Sequence, residues 1–248
     1  MYLPKTSFRF DGFIEIVESF ILLMLTRNLP GVDGPSKEWE DRMSSDGAME
    51  DLVALTKRVV ELEFGRSSRP QAQFRDRYLH TLRVLRWAER IHEVEGGDLF
   101  VITLASLLHD VGWDENIPHQ KVSFTFASDF LSHQAIEEEI AARVCNVVLL
   151  HNQRQIPPTE LRIEERVVMD ADALDESGIL TLIWDSLAAA AEDGSNGYHA
   201  IYDRISTRRK QPNPKHLHFK TDTGLRLFEG RKKVLESALN ELRYELES

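Results

Sequence analysis

One cysteine, Cys145, stands in the whole chain of 248 residues. A disulfide framework is therefore excluded, and a thiolate zinc site with it. The cysteine lies in the apolar run Val144-Cys145-Asn146-Val147-Val148, which reads as a buried, inert thiol. Positive charge is also scarce: 30 Lys and Arg against 41 Asp and Glu leave a formal net charge of −11. That sign argues against a protein that clamps nucleic-acid backbones, so nucleic acid is not expected as a partner. Long apolar runs are missing too. The nearest to one, Phe13 to Leu25, is interrupted by Glu15 and Glu18 and is too short to span a bilayer. No small-residue cleavage site follows it, so it is read as a docking helix. No membrane association is expected, and residence in the cytoplasm follows by default.

The strand signature is lacking as well, since strict apolar/polar alternation is hard to find. Helical spacing takes its place. After a stretch from Pro30 to Gly47 broken by Gly31, Gly34 and Pro35, which reads as a linker, apolar residues recur at helical steps to the C-terminus. The expected organisation is an N-terminal extension, residues 1–48, followed by one all-α domain, residues 49–248.

Within that domain several apolar helices each deliver an imidazole or a carboxylate. Val84, Trp87, Ala88 and Ile91 share a face, and counting back four from Val84 places His80 on it. The run Val101, Leu104, Leu107, Leu108 leads to His109 and Asp110, with Gly112 positioned to close the helix. Val144, Val147 and Val148 lead to His151, and Val168 to Asp172 one turn on. A lone histidine on an apolar face is more often a hydrogen-bonded core residue than a ligand. A carboxylate in such a run is different, because burying it is costly unless a cation or several donors compensate. Apart from Arg166, no Lys or Arg lies within a helical turn on the same face of either segment, and a metal ion would satisfy Asp110, Asp172 and the imidazoles together. Ligands of this kind without thiolates suit Mn²⁺, Fe²⁺, Co²⁺, Ni²⁺ or Mg²⁺.

The order His80, His109-Asp110, Asp172 resembles the H…HD…D signature of the HD superfamily, whose members are mostly metal-dependent phosphohydrolases. The surroundings resemble it too: His80-Thr81-Leu82-Arg83-Val84, Leu107-Leu108-His109-Asp110-Val111-Gly112, and Asp170-Ala171-Asp172-Ala173-Leu174-Asp175. The last of these is most similar to the stand-alone bacterial-type HD hydrolases, and the likeness extends over roughly Val53 to Leu246. The resemblance implies an all-α helical bundle with a metal site at its centre, held by His80, His109, Asp110 and Asp172, with one divalent ion or two. It implies a small phosphorylated substrate, a nucleotide first among the candidates. Asp170 and Asp175 would be packing or supporting groups, and Asp110 would bridge to a second ion. His119 and His151 resemble the extra histidines of two-metal members, as ligands of that second ion or as the acid for the leaving oxygen. The family offers two other outcomes: a di-iron oxygenase if His119 and His151 are both ligands, or a non-catalytic nucleotide-binding module, against which the complete ligand set argues. Arg83, Lys121 and Arg154 stand beside the ligand segments as candidate phosphate-binding cations.

Overall fold

In the computed structural model the described residues are 45–67, 76–193, 197–210 and 219–247. The chain divides after Ala48 into two units, and the larger, Met49–Ser248, holds the candidate site described below. The helix expected over Phe13 to Leu25 and most of the expected linker lie outside the described residues. The segment Ser45–Gly47, read as the end of that linker, is instead the start of a helix.

Nine α-helices and no strand occur among the described residues, as the spacing predicts. Helix α1 (Ser45–Arg66) buries Leu52, Val59, Val60 and Phe64 along one stripe. Helix α2 (Arg77–Glu95) starts where the Asp76 carboxylate accepts the Leu79 N–H at 2.9 Å, and it stops at Gly96, whose φ of 77° suits a residue without Cβ. Asp98 then caps helix α3 (Leu99–Leu108) by accepting the N–H groups of Phe100 and Val101. This helix carries no charged residue and is buried nearly all round, which makes it the central rod of the unit.

Around it stand helix α4 (His119–Ser132), helix α5 (Glu138–Leu150) and helix α6 (Ile163–Asp175). Helix α2 packs on α6 and α3, α3 on α5 and α6, and α4 on α5. A short 3₁₀ turn, Pro158–Glu160, joins α5 to α6. Helices α7 (Ile179–Asp193) and α8 (Tyr198–Lys210) pack on each other, and the long α9 (Asp222–Glu247) returns to touch α2, α6, α7 and α8. The basic stretch around Arg204 is therefore helical, anchored by the buried Ile205.

Gly112 differs from expectation in its role. Helix α3 ends before it, and a Cβ at this position would lie 2.4 Å from the backbone nitrogen of Ser123. Its N–H donates to Ser123 Oγ at 2.9 Å. The glycine thus lets the chain after His109-Asp110 run directly against α4. No described helix is long and apolar enough to cross a membrane.

Candidate metal centre

The ends of α3, α5 and α6, the start of α4 and the first turn of α2 open onto one cleft of about 260 Å³. His80, His109, Asp110, His119, His151 and Asp172 all line it, so the six residues singled out in the sequence come together. They form two trios. Donor atoms of His80, His109 and Asp172 lie within 4.8 Å of one another, and so do those of Asp110, His119 and His151. The four-residue set implied by the resemblance is thus divided, with Asp110 grouped beside the extra histidines.

Three of the imidazoles share one device. His109 Nδ1 and His151 Nδ1 each lie 2.7 Å from a carbonyl oxygen, of Ser106 and Val148, three residues back in their own chains. A carbonyl only accepts, so both Nδ1 atoms carry the hydrogen and both Nε2 atoms keep a lone pair. His80 Nδ1 lies 2.7 Å from Asp175 Oδ2, and Asp175 is also gripped by Arg83 at 2.7 and 3.0 Å. This carboxylate likewise accepts from His80 and turns its Nε2 inward, 3.5 Å from Asp172 Oδ1. His109 Nε2 is buried with no hydrogen-bond partner. A basic nitrogen buried without a partner is costly, and a cation is what its lone pair fits.

The rings of His80 and His109 stand 5.5 Å apart between centroids, and those of His109 and His151 5.1 Å apart. Across the cleft His119 Nε2 lies 3.2 Å from His151 Nε2 and 3.5 Å from Asp110 Oδ1. His119 keeps 28% of its side chain exposed while the other three imidazoles are buried. The residues present therefore fit one divalent ion at the first trio and provide donors for a second.

Charge in the cleft follows from these contacts. Burial alone would lower the His80 pKa, but hydrogen bonds to Asp172 and Asp175 and the charges of Asp172 and Asp110 raise it to about 9. His151 has no carboxylate bonded to it, and burial together with its neighbour His109 lowers it to about 3. Burial lowers His109 as well. Asp172 is pulled well below the usual carboxylate range: against the effect of burial, its bond to His80 and the Arg154 charge favour the ionised form.

Of the two arginines in the cleft, Arg154 is one of the candidate cations of the sequence and Arg77 is not. Arg77 Nη1 donates to Asp110 Oδ2 at 2.8 Å, and Arg154 Nη2 to Asp172 Oδ2 at 2.7 Å. The expectation that the buried carboxylates lack a protein cation looked along each helix only, and the cations arrive from other elements. Arg154 also donates to the Met169 carbonyl. Of the other candidate cations, Arg83 is committed to Asp175, and Lys121 is exposed outside the cleft lining. Cys145 is a buried free thiol, its pKa pushed up to about 11 by burial.

Residues 77–177, which hold every one of these ligand candidates, match the HD domain family. The chain is thus similar to the HD domain over somewhat less than half of its length. It is similar to the uncharacterized protein YpgQ of Bacillus subtilis, 27% identical over 61% of this chain and 75% of that one. Among solved structures it resembles an HD-superfamily hydrolase from Bacillus thuringiensis (TM-score 0.62, 20% identity, 81% of this chain and 99% of that one). It also resembles YpgQ in complex with ADP (TM-score 0.58, 23% identity, 80% of this chain and 96% of that one). At these identities the structures share the fold with this chain.

Proposed function

We propose that this protein is a metal-dependent phosphohydrolase acting on a small phosphorylated compound, with a nucleotide as the leading class. The observation that carries the reading is the inward convergence of His80, His109 and Asp172 through tautomers fixed from behind, beside a second trio, in one cleft that also holds two arginines. His80, His109, Asp110 and Asp172 would hold the catalytic ion, and Asp110 with His119 and His151 a second one. A divalent ion there lowers the pKa of coordinated water and offsets charge building on phosphate oxygens.

The chain's own residues supply the rest. Arg77 and Arg154 orient Asp110 and Asp172, and their positive charge in the cleft favours the substrate's phosphate oxygens. His119, the least buried imidazole, gives a proton to the leaving oxygen in the one-ion form. The oxygen of water ends on phosphorus as the bond to the leaving group breaks. One of its protons stays with the phosphate and the other restores His119. The ADP bound by YpgQ supports the nucleotide class as a candidate.

Phosphate release from a nucleotide and phosphoester panel with Mn²⁺, Co²⁺, Ni²⁺ and Mg²⁺ tests this. His109→Ala and Asp110→Ala should abolish release while circular dichroism keeps its helical form. Full activity in Asp110→Ala would overturn the reading.

The pairing of His119 with His151 favours a second reading, a di-iron oxygenase, because it gives the second trio as many donors as the first. Protein purified without added metal decides between them. Two irons per chain with optical bands support the oxygenase, and their absence disfavours it.

A further inference from the structure

A second cavity, of about 150 Å³, adjoins the cleft, and Glu176 lines both. Their other shared border is the start of α2, where Arg77 and His80 face the cleft while Asp76, Leu79 and Arg83 face the neighbouring groove. The far wall of the groove is α7, through Leu180, Ile183, Trp184 and Leu187. Leu79 is 50% exposed, Ile183 52% and Leu187 48%, a cost in apolar hydration that a ligand covering them would relieve. Thr181, also in the lining, has a buried hydroxyl with no hydrogen-bond partner. An apolar slot with a few polar groups is the usual form of a small-molecule site.

The charges of the groove narrow what it accepts. Arg83, its one cation, is held in two bonds by Asp175, while Asp76 and Glu176 add negative charge at the rim. A second phosphate lying here would meet the carboxylates of Asp76 and Glu176, whereas an uncharged ring would meet leucine, isoleucine and indole surface.

We propose that this groove is the subsite for the uncharged, planar body of a monophosphorylated substrate, such as a nucleoside, whose single phosphate sits in the adjoining cleft. The placing of the phosphate rests on the hydrolase reading above. The groove itself does not.

The test uses the full-length protein with Mn²⁺ and two probes, methyl phosphate and 1-naphthyl phosphate, read by calorimetric binding and by kcat/KM. Ile183→Asp and Leu187→Asp change exposed side chains, so the fold is kept. In the parent protein 1-naphthyl phosphate should bind at least about tenfold more tightly than methyl phosphate, from area covered in the groove. Each variant should lose most of that advantage, mainly in KM, while its handling of methyl phosphate stays unchanged. Equal affinity for the two probes, or unchanged 1-naphthyl phosphate binding in both variants, overturns the subsite. So does sedimentation showing that the variants split a dimer without altering probe binding, since the apolar face would then belong to a second copy. If neither probe is hydrolysed but naphthyl binding weakens in the variants, the subsite stands and the hydrolase reading falls.

Discussion

The backbone N–H of Lys220 donates to both oxygens of Asp170, at 2.8 and 3.0 Å, across 50 residues of sequence. Thr221 adds its own N–H and hydroxyl to the same carboxylate, at 2.8 and 2.7 Å. Asp170 lies two residues before Asp172, so this knot fixes the helix that presents the cleft's carboxylate. Asp170→Ala would strand two buried N–H donors. It should destabilise the protein by about 3 kcal/mol, read by urea denaturation. Asp170→Asn, which keeps one acceptor oxygen, should cost less.

Asp175 faces the opposite way, holding His80 through Nδ1 and Arg83 through two bonds. Removing a partner that orients a metal-binding histidine weakens metal affinity by about 10- to 100-fold. Asp175→Ala should show that loss in Mn²⁺ titrations, with the ion still able to bind.

The pH dependence of the metal-free protein follows from two histidines shifted in opposite directions. His80, raised from 6.5 to about 9, contributes stability that is fully present below pH 6.5 and lost as the pH rises through 9. His151, lowered from 6.5 to about 3, contributes stability present above pH 6.5 and lost as the pH falls toward 3. The contributions are on the order of 3 to 5 kcal/mol. The melting temperature of chelated protein should therefore peak near neutrality and fall on both sides. A bound ion requires neutral His80, so adding metal should abolish the alkaline decline, and a flat profile without metal would contradict the assignment.

Gly112 offers a purely steric prediction. Alanine there places its Cβ 2.4 Å from the Ser123 nitrogen and 2.5 Å from the Val122 carbonyl carbon, both backbone atoms. Neither yields cheaply, so Gly112→Ala should cost more than about 2 kcal/mol in thermal denaturation. Alanine at Gly65 or Gly230, where nothing lies within 4 Å of the added carbon, should be stable.

Much of the cleft was legible because each buried ligand candidate ends or interrupts an apolar helical run, a pattern visible without coordinates. His80, His109, His151 and Asp172 were found in this way, and the all-α class came from the same spacing. Gly112 brings the chain between Asp110 and His119 close against α4, an approach that the sequence pattern does not reveal. Arg77 left no trace because it stands among other polar residues at Arg75-Asp76-Arg77, and its value depends on Asp110 arriving 33 positions later. Lys220 belongs to no apolar helical run that would place it inside, yet it is buried. Helical periodicity reports which face of an element is dry and says nothing of which distant cation meets it.

Lys220 also donates through Nζ to the carbonyl of Arg154, the arginine that holds Asp172. Because these partners are 66 residues apart, the cleft waits on the end of the chain. During synthesis its histidines and aspartates emerge first and remain without their last clamp until residue 220 has left the ribosome. A chain stopped before that point would carry every metal-ligand candidate and lack the tie that holds one wall in register.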